Sequence, residues 1–176
     1  MSHTAQPYLD AIAAAIHAGQ DIRDWLVAGT RGDAWRGALS LHDRQHALRR
    51  KGQKQPFYCN YHCGLDSRCT CRPDGTTALE TDLMAFLAHD TGKVLALHLE
   101  FKHHREPLKP GQAAAYPMRA ACWARGDHCP RTVMPHDAWM TVIVCDPAFH
   151  PAAELAHFDR VLSHADAATR IPGWPA

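Results

Sequence analysis

Glu80 and Asp82 lie two residues apart in the apolar run 79–87, and Glu100 and Lys102 lie two apart in the next run, 94–102. Asp90-Thr91-Gly92-Lys93 separates the runs, with Gly92 placed to make a turn. Two antiparallel strands are expected, and residues two apart on a strand share a face. The hairpin then gathers three acids and a lysine. Isolated charges in buried strands are costly, so such a cluster calls for a partner. A divalent cation is one. Carboxylate oxygens suit Mg²⁺ or Mn²⁺, and Mg²⁺ keeps waters for a phosphate substrate. In the competing reading Glu80 caps the strand start, and Glu100 with Lys102 forms an ordinary cross-strand pair.

Other polar residues cluster nearby in sequence. His98, Lys102, His103, His104, Arg105 and Lys109 surround the acids. His103 or His104 could touch a phosphate or protonate a leaving oxygen. Gln112, Tyr116, Arg119 and Trp123 fall at helical spacing and share one face. They serve either the acids or the core under the sheet. The stretch 44–54 contains Arg44, Arg49, Arg50, Lys51 and Lys54 with no acid. Arginine is the better phosphate fork, so Arg49, Arg50 and Lys51 are candidates for a nucleic-acid backbone.

Cys59, Cys63, Cys69 and Cys71 follow the pattern C-x3-C-x5-C-x-C, with His62 among them. Besides the cysteines, only Tyr61 and Leu65 are sizeable apolar residues in this stretch. Burial alone cannot offset ordering entropy of about 1–2 kcal/mol per residue there. Four thiolates on a short loop suit a tetrahedral structural Zn²⁺. An Fe–S cluster uses the same ligands, and four reduced thiols are the third reading.

The chain has 176 residues and a formal net charge of +1, so charge gives no global case for nucleic acid. It contains no apolar run of eighteen residues, and no membrane partner is expected. Its first residues lack the pattern of a signal peptide, and a cytoplasmic protein is the expectation. Disulfides are not expected there despite seven cysteines.

Positioning these residues requires an ordered set of elements. Pro7 opens a helical segment over 7–28 that breaks at Gly19. Asp33 is placed to cap a second helix running to about Arg50. The hairpin, a helix over 111–124 interrupted by Pro117, a strand over 139–145 and a helix over 152–165 follow. The strand before the hairpin comes from either 57–62 or 76–79. The fold class is α+β or α/β, a small mixed sheet flanked by helices. One domain divides into N-terminal helices (1–52), a cysteine-rich insert (53–78), a core (79–146) and a C-terminal helix (150–166).

Asp82, then Glu100-Phe101-Lys102, then Gln112 with Tyr116, in that order, resemble the PD-(D/E)XK nuclease superfamily. The likeness spans residues 78–146. It implies a restriction-endonuclease-like core, with a three-stranded meander followed by a helix and a strand. It also implies metal binding by Asp82 and Glu100, water positioning by Lys102 and assistance from Gln112. Glu80 would hold a second ion or a metal-bound water. Many members carry a glutamate on an early helix, and this chain has none before Glu80. The expected function is Mg²⁺- or Mn²⁺-dependent hydrolysis of nucleic acid, DNA before RNA, with Arg119 directed towards phosphate. The alternative is a non-catalytic, zinc-stabilised module on the same fold that binds nucleic acid or protein. Whether the chain forms a homodimer is open.

Overall fold

Pro7 lies in the first turn of α1 (Gln6–Ala18), which buries Leu9, Ile12 and Ile16 along one side. A Cβ on Gly19 would stand 3.1 Å from the Ala15 carbonyl oxygen and 2.9 Å from Asp21 Oδ1, so glycine lets α2 (Gln20–Val27) follow closely. The computed structural model describes residues 4–49, 56–63, 80–126 and 129–175. Among them, no helix is long and apolar enough to cross a membrane.

The central hairpin is β3 (Glu80–Ala88) and β4 (Val94–Phe101), antiparallel from Leu83↔Leu99 to Ala88↔Val94. Gly92 adopts φ +80° in its turn, a conformation that side chains disfavour. Short strands β1 (Leu39–Ser40) and β2 (Cys59–His62) pair antiparallel with β3. β2 therefore supplies the strand before the hairpin, and residues 76–79 lie outside the described residues. After β4 the chain crosses through α4 (Gln112–Ala124) and returns as β5 (Ala138–Cys145), parallel to β4. β6 (Arg160–Ser163) then joins parallel to β5. The order is β1-β3-β4-β5-β6, with β2 beside β3.

Alternating side chains divide the core. Leu83, Leu87, Leu97, Leu99, Val142 and Val144 pack with Leu9, Ile12, Ile16 and Leu26 of α1 and α2. Met84, Phe86 and Ala96 pack with Cys122 and Trp123 of α4. Ile143 and Cys145 meet Ala113 and Tyr116. With both faces covered, every residue of β4 is buried. That is why this strand reads as a near-continuous apolar run.

Two expected helices are corrected. The segment 33–49 forms a 3-10 turn (Asp33–Trp35), β1 and α3 (His42–Arg49). Asp33 does not cap a helix: its Oδ1 accepts the Gly29 N–H at 2.8 Å. Gly37 at φ +83° turns the chain, and Arg23 Nε donates to the Ala38 carbonyl at 3.0 Å. The segment 150–166 contains α5 (Ala152–Leu155), β6 and the start of α6 (His164–Arg170). Asp159 Oδ2 accepts the Thr141 N–H at 2.8 Å, which fixes the chain against β5 as β6 begins. Conversely, α4 continues through Pro117 rather than being interrupted.

α6 starts in a capping box: Ser163 Oγ accepts the Asp166 N–H at 3.0 Å, and Asp166 Oδ2 accepts the Ser163 N–H at 3.1 Å. Ser163→Ala is expected to lower stability by about 1 kcal/mol in urea unfolding. Ser163→Asp, which keeps an acceptor, should recover most of that loss.

Candidate functional site

Glu100, the penultimate residue of β4, has only 2 % of its surface exposed, and three donors converge on its carboxylate. Lys102 Nζ lies 3.0 Å and Gln112 Nε2 2.6 Å from Oε1, while Tyr116 Oη donates to Oε2. This arrangement suits an acceptor-only carboxylate. Gly111, at φ +74°, starts α4 so that Gln112 is its first residue. Gln112 Oε1 accepts the Lys109 N–H at 3.0 Å, which turns its amide nitrogen towards Glu100. Burial, followed by the charges of Glu100 and Asp82, raises the Tyr116 pKa well above normal and keeps its proton in place. Burial opposes the charge on Lys102, but Glu100 outweighs it, helped by Glu106 and Asp82, and the pKa is raised.

Asp82 lies one step beyond the Leu83↔Leu99 pair, opposite Glu100 across the hairpin. Its Oδ2 accepts the Phe101 N–H at 2.9 Å. Burial and then Glu100 push its pKa well up; the Phe101 bond only partly offsets them, and Glu80 adds to the rise. Two carboxylates facing each other in a partly dry setting fit a small divalent cation, which would relieve this repulsion. Among the described residues, Glu80, Asp82 and Glu100 do not form a group with three ligand atoms within 4.8 Å of one another. A cation here would therefore depend on two carboxylates and water.

The other expected residues fall in different places. Arg119 is buried, donating through Nε to Thr81 Oγ1 at 2.8 Å and through Nη2 to the Glu80 carbonyl at 3.1 Å. Arg49 is also buried, bonded to the Cys59 carbonyl at 2.8 Å and stacked 3.8 Å over the Tyr61 ring. Both guanidinium groups brace the protein and are not presented to a phosphate backbone. Arg50 and Lys51 lie outside the described residues. His103 rests against Tyr8, and His104 Nδ1 lies 3.1 Å from Asp146 Oδ2. His98 is buried beside Trp123, and neither ring nitrogen has a hydrogen-bond partner. Burial, then Arg119 and His136, lowers its pKa and keeps it neutral.

The cysteine-rich stretch is divided by the sheet. Cys59 packs in the α1-side cluster, where burial pushes its thiol up to about 12. Cys63 packs in the α4-side cluster with Cys122, and Cys129 borders the same cluster. Cys59 and Cys63 thus pack in different clusters, whereas a four-thiolate zinc site needs each sulfur about 2.3 Å from one ion. Cys69 and Cys71 lie outside the described residues.

Sequence reasoning missed Glu106, Asp146 and His164. Glu106 Oε1 stands 3.6 Å from Lys102 Nζ on the exposed side of the site. It lies four residues after Lys102, the signal that could have revealed it. Asp146 directly follows β5, and His164 lies in the segment expected to continue one helix over 152–165. No protein-family model, curated protein or solved structure matches the chain.

The raised Asp82 pKa sets a pH dependence. The folded state holds this proton more tightly than the unfolded state, whose carboxyl titrates near about 3.9. Stability from this group is therefore lost as pH rises from that value through the raised folded one. Asp82→Asn keeps an acceptor for Phe101 and removes the charge. At neutral pH in chelator it should unfold at higher urea than wild type, by about 0.5–1 kcal/mol. Excess Mg²⁺ should stabilise wild type and not the variant. A variant less stable than wild type in chelator would contradict this account of Asp82.

Proposed function

We propose that the chain is a Mg²⁺- or Mn²⁺-dependent nuclease of the PD-(D/E)XK type, acting on DNA in preference to RNA. The observation that carries this reading is the Lys102–Glu100–Gln112 network with Asp82 facing it across the hairpin. The order of elements supports it: an antiparallel meander β2-β3-β4, then α4, then parallel β5. This is the sequence of elements expected of a restriction-endonuclease-like core.

Asp82 and Glu100 would hold the cation, which when bound supplies Lewis-acid polarisation of the phosphate and acidifies a water. Lys102 Nζ orients the attacking water and stabilises charge developing on the phosphate. Gln112 and Tyr116 aim the Glu100 carboxylate, as outer partners of a ligand commonly do. The exposed loop beside them carries Arg105 and Lys109, which offer positive charge to an approaching backbone. Glu106 competes with that phosphate for Lys102.

One observation favours a second reading, a non-catalytic binding module on this fold: protein donors already occupy both oxygens of Glu100. Cleavage assays separate the two. Wild type should cut plasmid or single-stranded DNA in Mg²⁺ or Mn²⁺. Folded Asp82→Ala and Lys102→Gln variants should each be at least about a hundredfold slower. An intact Asp82→Ala protein that cuts as fast as wild type would overturn the nuclease reading. Binding without cleavage in any divalent ion would establish the second.

A further inference from the structure

β4, β5 and β6 run parallel, and the chain leaves each at the same end of the sheet. His104 lies three residues beyond β4, Asp146 directly follows β5, and His164 directly follows β6. Each offers one ligand atom, and the three atoms lie within 4.8 Å of one another. The carboxyl ends of parallel strands are a common place for ligands. We propose that His104, Asp146 and His164 form a cation site for a first-row transition ion such as Zn²⁺, Co²⁺ or Ni²⁺.

His164 carries most of this argument. It is 6 % exposed, and its Nε2 lies 2.9 Å from the Lys102 carbonyl oxygen. A carbonyl only accepts, so Nε2 carries the proton and Nδ1 presents a lone pair. That Nδ1 is buried without a hydrogen-bond partner, an arrangement that costs stability unless something fills it. Metal-binding histidines are typically oriented this way, with the other ring nitrogen bonded to a carbonyl or carboxylate. Burial, followed by the opposing Lys102 bond and then His104, leaves the His164 pKa lowered, so the ring is neutral as a ligand must be.

The other two residues complete the set. The His104 and His164 rings are 4.4 Å apart, and His104 Nδ1 is 3.1 Å from Asp146 Oδ2. Two imidazoles and one carboxylate select zinc-like transition ions over Mg²⁺, which prefers oxygen ligands. The His104 side chain is 61 % exposed and that of Asp146 29 %, so an ion can enter and retain positions for water or a ligand. Asp82, Glu100 and Gln112 take no part, and the site does not depend on the nuclease reading.

The test uses full-length protein stripped of metal and titrated with Co²⁺ in excess Mg²⁺, followed by calorimetry and visible absorption. Wild type should take up Co²⁺ at a site without thiolate-to-cobalt charge-transfer absorption, which separates it from cysteine ligation. His104→Ala and Asp146→Asn should each weaken that uptake by at least about tenfold. His103→Ala and Asp82→Asn should leave it unchanged. The proposal is overturned if His104→Ala and Asp146→Asn bind as wild type does. It is equally overturned if all bound Co²⁺ shows thiolate absorption, or if Asp82→Asn abolishes the uptake.

Discussion

A buried charge at Glu100 constrains the structure around it. Its carboxylate is removed from water and satisfied by Lys102 from the end of its own strand and by Gln112 and Tyr116 from α4. Removing one partner from such a network typically costs about 3–5 kcal/mol, because a charge is left behind uncompensated. The α4 crossover therefore has two roles. It lets β5 align parallel to β4, and it delivers two donors to the end of β4. The covered faces that make β4 apolar also dry the surroundings of Glu100 and Asp82, raising the energetic stakes of that corner.

The hairpin and α4 were legible because local pattern and tertiary environment agree there. The β3 and β4 runs, broken by a glycine turn, fit only a hairpin, and the spacing of Gln112 and Tyr116 fits only a helix face. The second half of 152–165 was not legible in the same way. Phe158, Val161 and Leu162 mimic helical spacing, yet a buried parallel strand also appears as a short apolar run. Ser163 and Asp166 were the overlooked signal, since a serine followed three residues later by an acid marks a helix start. Asp33 was the reverse case, a residue suited to capping that bonds a turn N–H instead.

The arginines and cysteines show why composition along the chain misleads about place. Arg49 belongs to a basic stretch that looks solvated, but its partners, the Cys59 carbonyl and the Tyr61 ring, arrive only when β2 joins the sheet. Arg119 similarly finds the start of β3. Cys59 and Cys63 are neighbours in sequence, yet the sheet sends them into separate clusters, and Asn60 between them adopts φ 57°. His104, Asp146 and His164 are the converse: distant in sequence and gathered by the common ends of three parallel strands.

The central claim is that Asp82 and Glu100 share a divalent cation beside Lys102. Crystals soaked in Mn²⁺ and measured at the manganese absorption edge test it directly. The account predicts an anomalous peak between the two carboxylates, with oxygens of both residues at about 2 Å. A map without manganese there at saturating Mn²⁺, with Glu100 still held by Lys102, Gln112 and Tyr116, would contradict it.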